Sequence, residues 1–192
     1  MECGEPGSLE WHELTHETPD NVLVAGAMAG NGDSFTELCR RYYPAMVAVA
    51  QAILGDRHLA EDAAQQALAK AARNLHRLRK AGQFGSWLAA ICRNAAHDMA
   101  RVNRRLRKSQ EKPAEAVEPE QDDAGPAVRR ALDRLEPQAR EVIYLRFYDG
   151  LSYERIGEVL GISEQAINGR LRRAKKELAK HLRREGFGEV QL

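Results

Sequence analysis

In residues Leu151 to Leu178, LSYERIGEVLGISEQAINGRLRRAKKEL, two short helices are written back to back around a tight turn. Ser152 is placed to cap the first helix, and Ile156, Val159 and Leu160 give it an apolar stripe. Gly161 supplies the left-handed residue that ends it, and Ser163 caps the next helix at once. In that second helix Ile167, Leu171, Ala174 and Leu178 recur at helical spacing and must face a core. Gln165, Asn168, Gly169, Arg172, Arg173 and Lys176 then point outward. This is the layout of a helix-turn-helix, whose second helix enters the DNA major groove.

A basic helix near the end of a chain is often only a solvated face. From Glu164 to Arg184, however, eight Lys or Arg stand against two acids, directly after a capped turn. The combination favours DNA binding over either feature taken alone.

The formal net charge of +1 conceals strong segregation along the chain. Residues 1 to 39 hold eight acids and no Lys or Arg, and residues 77 to 112 hold ten basic residues against two acids. Residues 111 to 125 return to six acids and one Lys. Such alternation fits a protein that meets a polyanion on some surfaces and repels it from others.

Few aromatics, abundant Ala, Leu, Arg and Glu, and few β-branched runs predict an all-α protein. A length of 192 residues suits one large domain or two small ones. Cys3, Cys39 and Cys92 are too few and scattered for a disulfide framework, which points to a reducing compartment. The acidic N-terminal stretch lacks the pattern of a signal peptide, and no apolar run is long enough for a bilayer. The expected location is the cytoplasm, without membrane insertion. Cys3, His12 and His16 are irregularly spaced, which argues against a metal site. No Walker loop, nucleophile elbow or zinc-protease motif is present, so neither cofactor nor enzymatic activity is expected.

Residues 1–17 carry no periodicity and read as a mobile acidic tail. Thr18-Pro19 opens a helix through about Ala29, and Asp33 caps a second that reaches Leu54 past Pro44. A third helix, from about Arg57 to Leu78, carries the stripe Leu59, Ala63, Ala67, Ala71, Leu75 and Leu78. After the loop from Arg79 to Phe84, a fourth helix runs from about Ser86 to Lys108, with Trp87, Leu88, Ile91, Ala95 and Met99 expected to be buried. Residues 109–125 are acidic, bear Pro113 and Pro119, and read as a flexible linker. A second domain, 126–186, holds a helix to Leu135, another from Gln138 to Tyr148, and the helix-turn-helix.

The sequence from Leu135 to Leu178, LEPQAREVIYLRFYDGLSYERIGEVLGISEQAINGRLRRAKKEL, resembles the C-terminal module of extracytoplasmic-function (ECF) sigma factors of bacterial RNA polymerase. Upstream, GDSFTELCRRYY, LAEDAAQQALAKA and FGSWLAAICRNAAHDMARVNRR are similar to that family's region-two motifs in order and spacing. The resemblance covers about residues 20 to 182. It implies a function: binding core RNA polymerase and directing promoter recognition, DNA melting and transcription initiation. The implied partners are core polymerase, promoter DNA and an anti-sigma factor.

The resemblance also implies roles for residues. The region-two domain spans 18–108, and its third helix would dock on the polymerase clamp through Asp62, Gln65 and neighbours; Gln66 and Arg73 share that polar face. The loop Arg79, Lys80, Gly82, Gln83 and Phe84 would capture a flipped base of the minus-ten element. Arg93, Asn94, Asp98 and Arg101 would meet the duplex edge and the non-template strand. The last helix would read the minus-thirty-five element through Gln165, Asn168, Gly169, Arg170, Arg173 and Lys175. The face analysis nominates four of these six independently and adds Arg172 and Lys176; Arg170 and Lys175 lie nearer the flanks. The acidic linker, with Glu115, Glu118, Glu120, Asp122 and Asp123, would imitate nucleic acid in a path of the polymerase.

The chain departs from the family pattern in places. Ala72 and Leu68 stand where aromatics are frequent, and Arg155-Ile156-Gly157 replaces Glu-Ile-Ala. Gln165-Ala166 replaces Gly-Thr, and Asn168 stands where a basic residue is common. Gly169 lowers helix propensity by roughly 1 kcal/mol relative to Ala, a concession that close approach of the backbone to DNA would explain. The competing reading is a two-domain, LuxR-like helix-turn-helix regulator, which would bind DNA as a dimer without core polymerase. A structural helical adaptor would do neither.

Overall fold

The computed structural model describes residues 18–109, 125–184 and 187. The tail with Cys3, His12 and His16 and the acidic stretch from Glu115 to Asp123 lie outside the described residues. Eight α-helices account for nearly all of the regular structure, with no strand among the described residues. They are α1 (Asp20–Met28), α2 (Gly32–Leu54), α3 (Arg57–Asn74), α4 (Phe84–Ser109), α5 (Pro126–Asp133), α6 (Pro137–Ile143), α7 (Tyr153–Leu160) and α8 (Glu164–Arg184). No described helix is long and apolar enough to cross a membrane.

Local signals set most of the boundaries. The Asn31 side chain accepts hydrogen bonds from the Asp33 and Ser34 amides, so Asn31, not Asp33, caps α2. Gly55 closes that helix in the left-handed region, at φ 68°, and Asp56 caps α3 through the Leu59 amide. Thr18 does not cap α1; Pro19 occupies the cap position without a side-chain bond. α2 continues unbroken past Pro44.

Helices α2, α3 and α4 form the first bundle, with α1 laid on α2 through Leu23 and Val24. The fully buried face of α3 is built from Ala60, Ala63, Ala64, Ala67 and Ala71. Small side chains let the neighbouring backbones approach closely, so the core is filled from α2 and α4 by Leu38, Met46, Val49, Phe84 and Leu88. The helical pattern of α3 breaks at Asn74 into a 3-10 turn, Leu75–Arg77, rather than continuing to Leu78.

α4 corrects the expected burial. Leu88, Ala89, Cys92 and Ala96 form its fully buried stripe, whereas Trp87, Ile91, Ala95 and Met99 are half-buried along its flank. The reason lies in its neighbours: α4 packs against α2 and α3 on one side and α7 on another, which rotates the deepest line away from the Trp87 row.

The second bundle packs α5, α6 and α7 around α8. The helix expected to run from Gln138 to Tyr148 leaves α-geometry at Tyr144 and continues as one π turn, Tyr144–Tyr148. The wider turn keeps Leu145 in the core and leaves Phe147 57% exposed.

Asp149 follows this turn, with its Oδ2 atom buried and without a hydrogen-bond partner among the described residues. Burial pushes its carboxyl up to about 6, and the Arg57 charge only partly offsets this. An acid whose folded-state pKa is raised loses native stability as pH climbs from about 4 through 6, and the whole penalty is present at pH 7. A two-unit shift corresponds to at most about 3 kcal/mol, and screening of a half-buried group brings this nearer about 1 kcal/mol. Asp149→Asn is therefore expected to stabilise the protein by about 1 kcal/mol at pH 7. It should also flatten the change in stability between pH 4 and 6. Urea melts of both proteins at pH 5 and pH 7.5 measure the difference.

Candidate nucleic-acid interface

The helix-turn-helix forms as its caps require. The Arg155 amide donates to Ser152 Oγ at 3.2 Å, Gly161 adopts φ 68°, and the Ala166 amide donates to Ser163 Oγ at 3.3 Å. Ile156, Val159, Ile167, Leu171, Ala174 and Leu178 are buried between the helices. Arg146 reinforces the entry to α7 by donating to the Leu151 carbonyl at 2.9 Å, with its guanidinium over the Tyr153 ring.

This packing leaves Gln165, Asn168, Arg172, Arg173 and Lys176 exposed on one face of α8. A Cβ at Gly169 would meet only the Arg173 guanidinium, at an ordinary 3.5 Å. Nothing among the described residues therefore requires glycine there. The two flank residues are differently placed. Arg170 sits near the buried carboxylate of Glu141, and the Lys175 ammonium lies 4.9 Å from the centre of the Phe147 ring. Beside Lys175, the residues Val128, Leu132, Ile143, Tyr144, Phe147 and Leu178 line an apolar groove.

In the first bundle, Arg79, Lys80, Gly82 and Gln83 are exposed on a loop that contains a short 3-10 turn, Ala81–Gln83. Its two ends are pinned by buried side chains, Leu78 at 7% exposure and Phe84 at 1%. Phe84 was expected to contact DNA with the rest of the loop. Instead its ring lies 5.2 Å from that of Tyr42, edge-on, and 6.0 Å from Trp87. An aromatic so enclosed seats the loop; the exposed side chains between the two anchors remain available for a base.

Asn94, Asp98 and Arg101 share an exposed face of α4 at helical spacing, with an Arg101–Asp98 ion pair at 3.2 Å. Arg93 does not join them. It turns toward the second bundle and donates to Glu141 at 2.9 Å. Burial raises the Glu141 carboxyl pKa, and the Arg93 charge and hydrogen bond work against that shift. On α3, Asp62, Gln65, Gln66 and Arg73 are all exposed, as their positions opposite the alanine stripe dictate. Gln66 and Arg73 line a groove between α3 and α4, rimmed by Met99 and by Val102, itself 53% exposed.

Sequence reasoning missed how the two bundles meet. α7 lies on the start of α4, while α6 and the π turn lie on α2. Arg155 crosses the junction to donate to Asp20 Oδ2 at 2.8 Å and to Tyr42 Oη at 3.1 Å, with its guanidinium 3.8 Å from the centre of the Tyr42 ring. Tyr42 in turn donates to Asp20 at 2.6 Å. Burial opposes ionisation of Asp20, but hydrogen bonds from Tyr42, Arg155 and Arg41 outweigh it and hold the carboxyl below its usual range. The one sequence signal was that Arg155 departs from an acidic position of the family pattern.

Comparison with known proteins agrees with this architecture. A model of sigma-70 region 2 matches residues 38–106, and one of sigma-70, region 4 matches residues 126–178. The ECF RNA polymerase sigma factor SigE of Mycolicibacterium smegmatis is 31% identical over 95% of this chain and 75% of its own length. RNA polymerase sigma factor CarQ of Myxococcus xanthus is 32% identical over 85% of this chain and 94% of its own length. Among solved structures, CnrH in complex with the cytosolic domain of CnrY is similar at 27% identity and a TM-score of 0.58, covering 85% of this chain and 97% of CnrH. The sigma factor RpoE from Bartonella quintana, in complex with the anti-sigma factor NepR, matches at 27% identity and a TM-score of 0.55, over 78% of this chain and 96% of RpoE. The sequence motifs, the two helical bundles and these matches agree: the chain belongs to the ECF family of RNA polymerase sigma factors, which direct promoter recognition and transcription initiation.

Proposed function

We propose a division of labour between the two domains, 18–108 and 126–186. The first binds core polymerase through α3, and its loop and α4 recognise and melt the minus-ten element. The second reads the minus-thirty-five element through α8. One observation carries this reading: two exposed polar surfaces, the loop between Leu78 and Phe84 and the outer face of α8, are each fixed by buried anchors. A rigidly held donor set can discriminate bases, whereas a mobile one loses entropy on every contact. The polymerase supplies the chemistry, and this chain acts in the cytoplasm as a regulatory factor without a catalytic site of its own.

An anti-sigma factor is a further partner in this proposal, since RpoE was solved with the anti-sigma factor NepR bound. The apolar groove beside Phe147 offers an amphipathic helix the kind of surface that soluble proteins rarely leave bare.

The test is run-off transcription on sheared genomic DNA of the source organism. Core polymerase supplemented with this chain should start transcripts at a defined set of sites that core alone does not use. A DNA-binding regulator that acts as a dimer would leave core polymerase inactive at every site.

Core binding has its own test. Asp62 is exposed on α3, away from the buried alanine stripe. Asp62→Arg is expected to weaken affinity for core polymerase about tenfold, near 1.4 kcal/mol. Stability should change by less than about 0.5 kcal/mol. Titration of labelled core, beside a urea melt, reads both quantities, and unchanged core affinity would remove α3 from the docking surface.

A further inference from the structure

Arg93 of α4 and Arg170 of α8 line one cavity, together with His97, Gln138 and Glu141. It encloses about 420 Å³, inside the range of small-molecule pockets, about 300–1,000 Å³. Its charges do not balance. Glu141, 8% exposed, is the one carboxylate on its wall among the described residues, and it lies in the field of both guanidiniums. Arg93 donates to it through the Nε–H alone, at 2.9 Å, and the terminal amino groups of Arg93 have no hydrogen-bond partner among the described residues. Arg170 is half-buried and makes no hydrogen bond or ion pair among the described residues. A guanidinium is a planar fork of N–H donors, and holding one partly out of water is unfavourable unless something accepts from it. His97 stands one turn along α4 from Arg93, and its imidazole can donate in either protonation state. The rest of the wall, Ala52, Ile53, Pro137 and Leu160, is apolar.

We propose that this cavity binds a small organic phosphate, its phosphate group held between the Arg93 and Arg170 guanidiniums and its body laid on the apolar wall. A phosphate monoester suits two forks that approach from different helices. Its oxygens point in tetrahedral directions and it carries about −1.5 to −2 charge, whereas a planar carboxylate presents both oxygens to one side. It would also act as a counter-ion shared by two like charges that otherwise repel each other. The site is separate from the face of α8 that reads bases. Asn168 and Arg172 stand two residues to either side of Arg170, so the helical period carries them to the opposite side of the helix. Duplex DNA admits a helix into its groove, but it cannot itself enter a recess walled by α2, α4, α6, α7 and α8.

Calorimetric titration of the full chain with adenosine monophosphate, inorganic phosphate and adenosine tests this. One equivalent of adenosine monophosphate should bind. Inorganic phosphate, which has no body to lay on the apolar wall, should bind about threefold to tenfold more weakly, and adenosine should give no measurable heat. Arg170→Ala breaks no bond within the chain, so it should melt like the parent in urea while its affinity for adenosine monophosphate falls at least about tenfold. Arg170→Lys should recover part of that affinity, and Arg172→Ala should bind as the parent does. Failure of both phosphates to bind the parent overturns the site. Equal losses in Arg172→Ala and Arg170→Ala would reduce it to general attraction toward a basic helix and overturn it as well. Inorganic phosphate bound as tightly as adenosine monophosphate overturns the role of the apolar wall. Displacement of bound adenosine monophosphate by a short DNA duplex would assign Arg170 to the DNA backbone instead. The titration needs neither polymerase nor promoter, so its outcome is independent of the division of labour proposed above.

Discussion

Phe84→Ala is expected to remove about 3–5 kcal/mol of stability, the range for truncating a fully enclosed aromatic. The ring is 1% exposed and lies against Tyr42 of α2 and Trp87 of α4, so its loss leaves a cavity between these two helices that cannot easily collapse. It also removes one of the two pins of the loop that carries Arg79, Lys80, Gly82 and Gln83. Gln83→Ala, by contrast, trims an exposed side chain and should change stability by less than about 0.5 kcal/mol. The two substitutions therefore separate seating the loop from touching DNA. Urea melts report the first, and permanganate reactivity of promoter thymines in the presence of core polymerase reports the second. Gln83→Ala should reduce opening in a protein that melts like the parent. A Phe84→Ala protein as stable as the parent would show that the ring is no anchor.

On the recognition helix, Asn168→Ala is expected to relax sequence preference at one or two base pairs by about 1–3 kcal/mol. Asn168 stands one turn into α8 on its exposed face, where a side-chain amide can pair with two atoms of an adenine edge. Lys176 lies two turns further along the same exposed side, where contact with phosphate is the natural role. Lys176→Ala should weaken every site alike and reduce the slope of affinity against salt by about one. Binding of both variants across a library of minus-thirty-five sequences, at two salt concentrations and with core polymerase present, distinguishes the roles. A changed sequence preference in Lys176→Ala, with none in Asn168→Ala, would reverse the assigned direction of the helix in the groove.

The sequence by itself determined what short-range chemistry determines. Ser152, Gly161 and Ser163 set the helix-turn-helix because a cap or a left-handed glycine acts within three or four residues of itself. The exposure of Asp62, Gln65, Asn168 and Lys176 followed from helical period alone, since each stands opposite a row of apolar side chains. The order of motifs was enough to identify the family, because two motif sets in two domains rarely coincide.

Tertiary structure decided the rest. The burial of Phe84 and the rotated core line of α4 depend on α2 and α7, which no window around those residues contains. The capture of Arg93 by Glu141 spans 48 positions, and the clasp of Arg155 on Tyr42 and Asp20 spans 113 and 135. Periodicity can say that such side chains reach outward. It cannot say what they meet, because a partner so distant in sequence is chosen by the packing of whole helices and not by the chain near it.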